Sequence, residues 1–183
     1  MTPTRRTACV IMLGLAQTLG WGTTYYLPAI LAGPMAAELG VGVGAVFAAF
    51  SGALIVSAAL GPMAGRMIDR SGGRGALTLS SLVFAAGLAT LGLAQGYPML
   101  LAGWLLLGAG MSFGLYEAAF ATLVAALGRE ARGPITGVTL IAGFASTVCW
   151  PLTALMDAEL GWRGACLVWA RAHLLIGLPL NLT

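Results

Sequence analysis

The sequence predicts an all-α membrane protein with six transmembrane helices. Of its 183 residues, 59% are hydrophobic and only 8% are charged, whereas a soluble domain carries about 25% charged residues. Charge-free stretches of 31, 27, 42 and 24 residues separate the charged positions, and a helix needs about 20 apolar residues to cross a bilayer. These stretches are continuous rather than alternating, which favours helices over a barrel. The composition excludes a soluble enzyme, a disordered chain and a nucleic-acid binder, so we expect no nucleic acid as a partner.

The spans follow in order from the positions of the charges. Each stretch holds one span, except that the turn signal at residues 95–98 divides the 42-residue stretch into two. A sixth span begins after Arg163. The predicted spans cover residues 8–32, 42–65, 75–95, 98–127, 133–156 and 164–182, and form one membrane domain over residues 1–183. The first is too long to be a cleavable signal peptide, and we expect kinks at Pro28 and at Trp150-Pro151.

The arginines predict the orientation of the spans. With the N-terminus in the cytoplasm, one arginine (Arg163) lies outside, Arg171 lies within span 6, and seven lie inside: Arg5, Arg6, Arg66, Arg70, Arg74, Arg129 and Arg132. Such a bias is typical of cytoplasmic loops. We therefore expect a multi-pass protein of the plasma (inner) membrane with both termini cytoplasmic.

Small residues four positions apart occur within or next to three of the spans. Such pairs let neighbouring helix backbones approach closely. The pairs are Gly61/Gly65, Gly110/Gly114 and Gly133/Gly137.

A motif of glycines and charges joins spans 2 and 3. Residues 65–74, which we call the signature segment, read Gly-Arg-Met-Ile-Asp-Arg-Ser-Gly-Gly-Arg. This resembles the signature G-x-[hydrophobic]-x-D-R-x-G-R-[K/R] of the major facilitator superfamily (MFS). Gly73 departs from it by replacing a basic residue, and the positions that match are Gly65, Asp69, Arg70, Gly72 and Arg74. The resemblance implies secondary transport by alternating access, with no bound cofactor, and a gating contact between this segment and another helix.

The same resemblance implies the six-span half of an MFS fold, built from two inverted three-helix repeats. The segment between spans 5 and 6 (Asp157, Glu159 and residues 161–163) is then the counterpart of the signature segment on the opposite face. Besides a small-molecule solute and the lipid bilayer, we expect a missing C-terminal six-span half or a second copy of the chain as partner. A fragment, a degenerate product and a pairing half remain open alternatives.

Glu117 is the leading candidate for a functional residue outside the signature segment. It lies near the middle of span 4, where an ionisable group is costly and marks a functional site by default. In the superfamily spans 1 and 4 line the central cavity, so Gln17, Thr24 and Tyr25 of span 1 are candidates to meet a solute there. Gln17 and Thr24, seven positions apart, share a helix face. The alternative is a carboxyl bonded to neighbouring hydroxyls with a structural role. We expect no metal site.

Finer features are similar to the monocarboxylate transporter branch. Residues 17–22 resemble its first-span signature, and Arg129 and Arg132 begin a basic, glycine-spaced fifth span. This implies proton-coupled transport of a small organic anion by symport. Trp104 stands where many drug/proton antiporters carry an arginine. Multidrug efflux and a non-transporting half-length protein or scaffold are the alternatives.

We expect no enzyme, because one histidine and one deep glutamate do not supply an intramembrane protease site.

Overall fold

The computed structural model describes residues 3–182, in which nine α-helices follow one another. A 3₁₀ turn (Gly128–Ala131) separates α6 from α7, and a π-helical segment (His173–Gly177) separates α8 from α9. The helices are α1 (Pro3–Thr23), α2 (Leu27–Leu39), α3 (Val43–Ser71), α4 (Gly73–Gly92), α5 (Tyr97–Gly114), α6 (Tyr116–Leu127), α7 (Arg132–Ala142), α8 (Ala145–Ala172) and α9 (Leu178–Leu182).

The predicted first span, residues 8–32, is two helices rather than one. α1 ends at Thr23 and α2 begins at Leu27, with Pro28 in the first turn of α2. A proline there lacks the N–H that would continue the hydrogen bonds of the preceding turn, so the predicted disruption at Pro28 is confirmed as a break. Thr24 directly follows the last residue of α1 and is buried, as Gln17 is, so the expectation that the two share a helix face stays a prediction.

The signature segment, which lies between the predicted spans 2 and 3, is almost entirely helical. α3 continues to Ser71, and α4 begins at Gly73. Only Gly72 departs from helical geometry, with φ 77° and ψ 166°. That backbone conformation is essentially restricted to glycine, which explains why the motif carries one at this joint.

The later spans are interrupted at positions that the sequence did not indicate. Span 4 (98–127) breaks at Leu115, whose backbone is extended (φ −89°, ψ −168°). Span 5 breaks at residues 143–144, and the helix then continues through Pro151. Spans 5 and 6 meet at Gly161, whose φ of 68° and ψ of 168° repeat the conformation of Gly72. The two segments proposed as counterparts therefore turn through the same backbone geometry.

Three helical stretches are long and apolar enough to cross a membrane. They are Val43–Ser71, Gly73–Gly92 and Tyr97–Leu182, the last of which joins several helices. α1 is less apolar because it includes Arg6 and Gln17, and α2 has only 13 residues. The count of six spans stays a prediction.

Of the six glycines in the three predicted pairs, three lie at close contacts between helices. Gly110 and Gly114 face Phe84 and Ser80 of α4, and an added methyl group at either position would overlap those side chains. Gly137 approaches Val10 in the same way. By contrast, Gly61, Gly65 and Gly133 have no other atom within 4 Å of an added methyl group in the part of the chain that the structure describes.

α5 lies at the centre of the packing, against α3 on one side and α4 on the other. Gly108 of α5 sits directly on the carbonyl of Ala53 in α3. The buried ring of Trp104, one turn earlier, contacts Phe50 at a centroid distance of 5.3 Å. The residue that replaces the antiporter arginine is thus part of the hydrophobic core.

The end of the bundle opposite the signature segment is joined by one acidic and one basic side chain. Arg163 Nε donates to Glu38 Oε1 at 2.8 Å, and Trp162 Nε1 donates to the other carboxylate oxygen. Arg163 also donates to the carbonyl of Ala94, just after α4. Because cations stabilise the last carbonyls of a helix, Arg163 links the ends of α2 and α4 to the joint at Gly161.

Substitution of Gly108 by alanine tests the α3–α5 contact. The added methyl group meets backbone atoms of Ala53, which cannot rotate away, so we expect a loss of about 1–3 kcal/mol in the free energy of unfolding. The matched control is Gly44→Ala, at an exposed position on α3 with open space around it. Thermal unfolding of the detergent-purified protein measures both, and equal stability of the two variants would contradict the packing.

The Glu38–Arg163 pair predicts a pH-dependent stability. Glu38 lies outside the predicted spans, and hydrogen bonds from Arg163 and Trp162 hold the pKa of its carboxyl below the usual range. A lowered pKa contributes stability at neutral pH that is lost as the pH falls through that pKa. We expect Glu38→Gln to unfold at a lower temperature than the wild type at pH 7, with a difference that shrinks in acid. Glu159→Gln, at an exposed acid before the same joint, should show no such trend.

Candidate functional site

The break between α5 and α6 places Glu117 in the first turn of a new helix. Leu115 is extended, and α6 begins one residue later at Tyr116. The exposed N–H groups at the start of a helix carry partial positive charge, which stabilises a nearby carboxylate. Glu117 is the acidic residue of that first turn, and its side chain is exposed on the surface of the chain. The irregular backbone therefore supplies an electrostatic partner for an acid within the predicted span 4.

Gln17 of α1 holds this break in place. Its side-chain Nε2 donates to the carbonyl of Gly114, the last residue of α5, at 2.6 Å. Gln17 is 1% exposed, so the bond is made away from solvent. A buried carbonyl without a partner costs about 1–3 kcal/mol, and the amide nitrogen of Gln17 satisfies this one, whereas the amide oxygen Oε1 has no partner among the described residues.

A groove lies along the surface between α3 and α6, with a volume of about 350 Å³. Glu117 is the only charged side chain among the described residues that line it. The other side chains that line it are small or apolar, and two of them are serines. They are Leu54, Ser57, Ala58, Gly61, Ala64, Gly65, Ile68, Ser112, Ala118 and Ala121. The groove runs from the middle of α3 to the signature segment, and it brings Glu117 and Gly65 to one surface.

Ser57 and Ser112 are groove residues that sequence reasoning missed. On α3 the groove follows positions 54, 57, 58, 61, 64, 65 and 68, which is the spacing of one helix face. A search for small residues at that period along span 2 would have found Ser57. Ser112 has no comparable signal, because the break at Leu115 determines which part of α5 reaches the groove.

An aromatic cluster adjoins the groove at the end away from the signature segment. Tyr25 is 42% exposed and contacts Trp21 and Phe50, with centroid distances of 5.2 Å and 5.5 Å. Tyr116, next to Glu117, contacts Trp21 at 4.9 Å. The cluster consists of Trp21, Tyr25, Tyr26, Phe50, Tyr116, Phe120 and Trp150, and Phe50 connects it to the buried ring of Trp104. Aromatic rings thus continue the surface that carries the carboxylate.

The four cavity candidates therefore divide into two pairs. Glu117 and Tyr25 lie on the surface formed by the groove and the aromatic cluster. Gln17 and Thr24 are buried, and Thr24 Oγ1 donates to the carbonyl of Gly20 in the preceding turn at 2.6 Å. Neither of these two buried residues lines the groove, although Gln17 acts on the helix break beside Glu117.

The signature segment combines one packing position with exposed charges. Gly73 is buried, and an added methyl group would overlap the side chain of Thr122 in α6. This contact explains the departure from the motif, because a basic side chain has no room there. Asp69 and Arg70 are exposed on the last turn of α3, while Gly72 forms the joint.

The unusual polar residues of span 6 lie away from the groove. His173 is 2% exposed and shares a 2.7 Å hydrogen bond with Thr23 at the end of α1. Arg171 is exposed on α8. The two ion pairs within residues 3–182 join Arg6 to Glu130 and Arg163 to Glu38, so neither contains Arg171 or Glu117.

Metal-ligating side chains do not form a cluster of three or more anywhere in residues 3–182. The three cysteines are unpaired, with Cys149 and Cys166 buried and Cys9 half-buried. The chemistry that the described site offers is thus that of one carboxylate, two serine hydroxyls and a surface of aromatic rings, three of which are tyrosines.

Comparison with known proteins identifies the family. The family model described as Major Facilitator Superfamily matches residues 10–182, which is nearly the whole chain. No curated protein matches. The match agrees with the motif in the signature segment and with the apolar helices, and members of this family are transporters of small solutes rather than enzymes. The chain is a multi-pass membrane protein that belongs to the major facilitator superfamily.

Proposed function

We propose that this chain carries a small solute across the membrane by alternating access, with a proton carried on Glu117. The observation that supports this most strongly is the position of Glu117 as the one charged side chain in the described groove. Transport of a small solute follows from the family. The proton coupling, the solute class and the partner that completes the site are the proposal.

The depth of Glu117 suits a proton carrier. It is the second residue of a 12-residue helix, about 15 Å from the end of α6 at 1.5 Å per residue. That distance is half of a hydrocarbon core of about 30 Å. Beyond that end lie Arg129 and Arg132 and the Arg6–Glu130 pair, which belong to a polar boundary.

The surroundings of Glu117 change when the groove closes. In the described chain the groove lies open along the surface, and closure against an apolar surface removes the water around this side chain. We propose that this change couples the uptake and release of a proton at Glu117 to transport.

A second six-span unit is proposed to close the groove. Gly61 and Gly65 lie along its floor with open space above them, and small residues of this kind allow another helix to approach closely. The partner is a C-terminal six-span half or a second copy of this chain. Asp69 and Arg70, exposed at the end of the groove, lie where the gating contact of the signature segment is expected.

The charge of the solute determines the direction of proton coupling. An anion and a carboxylate repel each other in one small groove, so an anion binds when Glu117 is protonated and the two move together. The monocarboxylate resemblance leads us to propose this case, symport of a small organic anion. The positive charge that would bind the anion must then come from the second unit, because Glu117 is the only charged lining residue described here.

An organic cation is the second candidate, and the aromatic cluster favours it. Rings beside a carboxylate form a surface to which cations bind through both charge and π-faces. Tyr116 precedes Glu117 in the chain, and its ring contacts Trp21. A cation would displace the proton from Glu117, which produces antiport as in multidrug efflux. A non-transporting scaffold remains the alternative if neither solute moves.

Glu117→Gln tests the proton-carrier role. We expect accumulation driven by an imposed pH gradient in proteoliposomes to fall to the level of protein-free liposomes. Exchange of labelled for unlabelled solute should persist, because the neutral glutamine mimics the protonated state. A labelled monocarboxylate and a labelled aromatic cation are assayed side by side, and the direction of proton movement separates symport from antiport.

The matched control is Glu159→Gln, which removes an exposed acid at the end of the bundle opposite the signature segment. It should accumulate solute as the wild type does. Undiminished accumulation by Glu117→Gln would show that another group carries the proton. If the wild-type protein inserts into the membrane but moves no solute, that result would favour the non-transporting scaffold.

Gln17→Leu tests whether the amide positions Glu117. The variant leaves the buried Gly114 carbonyl without its donor, so we expect a loss of about 1–3 kcal/mol in the free energy of unfolding. We also expect a shifted pH profile of uptake, because the start of α6 moves relative to the groove. The control Thr24→Val removes only a bond within the chain's own preceding turn and should leave the pH profile unchanged. An unshifted profile for Gln17→Leu would limit this residue to packing.

A further inference from the structure

Ser57 carries the one hydroxyl in helices α3 to α6 that has no hydrogen-bond partner among the described residues. These four helices contain nine serine and threonine side chains, and a hydroxyl inside a helix can bond to a carbonyl of the preceding turn. Eight of the nine donate to a backbone carbonyl. They are Ser51, Ser71, Thr78, Ser80, Ser81, Thr90, Ser112 and Thr122. Ser57 therefore has a hydroxyl proton that the described chain leaves unused.

Close packing against α5 explains why this hydroxyl is unbonded. The carbonyl four residues before Ser57 belongs to Ala53, and Gly108 of α5 lies directly on it, which removes the usual acceptor. Ser57 itself is half-buried and lines the groove. A serine hydroxyl can donate one hydrogen bond and accept others, so a ligand in the groove meets a donor that has no competing partner in the described chain.

The register between α3 and α5 places Ser57 close to the level of Glu117. Ala53 contacts Gly108, the two helices run in the same direction, and one further turn leads to Ser57 on α3 and to Ser112 on α5. Glu117 is five residues beyond Ser112, about 8 Å at the helical rise. Its Cα–Cβ bond tilts back toward the start of α6 and hence toward the serines. Within this groove of about 350 Å³, one small solute can reach both Ser57 and Glu117.

We infer that Ser57 binds a carboxylate group of the solute, with its hydroxyl donating to one carboxylate oxygen while protonated Glu117 donates to the other. This inference rests on the proton-carrier role proposed for Glu117. A carboxylate only accepts hydrogen bonds, so it uses the free proton of Ser57, whereas an ammonium group, which only donates, leaves that proton unpaired. When Glu117 releases its proton, it becomes an acceptor and repels the solute, which favours dissociation.

Solute exchange in proteoliposomes measures this contact without a pH gradient. The probes are two small monocarboxylates, labelled pyruvate and labelled lactate, each exchanged for the unlabelled compound at equal pH on both sides. Because Ser57→Ala loses a hydrogen bond to a charged group, we expect its KM for exchange to rise at least about tenfold, with little change in the maximal rate. Ser57→Thr keeps the hydroxyl and should restore the KM toward that of the wild type.

The matched control is Ser51→Ala, which removes an exposed hydroxyl of the same helix that bonds to the carbonyl of Phe47 and lies outside the groove. Its KM should equal that of the wild type. Ser57→Ala is also measured in the Glu117→Gln background, where the amide N–H replaces the donor of the protonated acid, and the KM should rise by the same factor. Full accumulation by Glu117→Gln would refute the proton carrier alone, since the Ser57 comparison uses exchange.

Several results would overturn the inference. Equal KM values for the wild type and Ser57→Ala would show that the hydroxyl does not touch the solute. A KM for Ser57→Thr as high as that for Ser57→Ala would assign this position to packing. Failure of the wild type to exchange either monocarboxylate would exclude the carboxylate class, and exchange of labelled tyramine, an aromatic cation, in their place would assign the groove to cations.

Discussion

The hydrogen bond from Gln17 to the carbonyl of Gly114 is the interaction on which the candidate site depends. It joins α1 to the end of α5 at 2.6 Å, in the interior of the bundle. Lipid cannot satisfy an open backbone, and each unpaired group costs several kcal/mol. A helix can therefore break inside a membrane protein only where another part of the chain replaces its lost bonds. At this break the replacement allows α6 to begin next to Glu117.

The same constraint accounts for other joints of the fold. At the end of α1, the carbonyl of Trp21 accepts a hydrogen bond from the N–H of Tyr26 at 3.1 Å. After α4, the carbonyl of Ala94 accepts a bond from Arg163, which also pairs with Glu38. At the other end of the bundle Arg6 donates to the backbone carbonyl as well as the carboxylate of Glu130. Polar side chains are few in this sequence, and many of them lie where helices stop.

Much of the architecture was predictable because the signals are local. The lengths of the charge-free stretches indicated the helices, and Pro28 indicated the break between α1 and α2. Residues 113–116 carry no such signal, because nothing in Phe-Gly-Leu-Tyr stops a helix. The break at Leu115 depends on Gln17, nearly 100 positions earlier, and on the close packing of Gly114 against Ser80. Contacts of that separation are not encoded in any short window of sequence.

The signature segment shows the same contrast between local signals in the sequence and contacts with distant residues. Its motif predicted the family, which the match over residues 10–182 confirms. The helical state of residues 66–71 does not follow from the sequence, because the charges in this segment end the predicted span at residue 65. The glycine at position 73 had no explanation until its contact with Thr122 was known. Family membership can be inferred from a motif, whereas a departure from the motif is explained only when the structure shows the neighbouring residue that causes it.

We propose that Glu117 gains and loses a proton during transport. Infrared difference spectroscopy of the protein in lipid, recorded as the pH is cycled, detects this through the C=O band of a protonated carboxylic acid. We expect a band that is lost in Glu117→Gln, altered in Gln17→Leu and unchanged in Glu159→Gln. Identical difference spectra for the wild type and Glu117→Gln would contradict it.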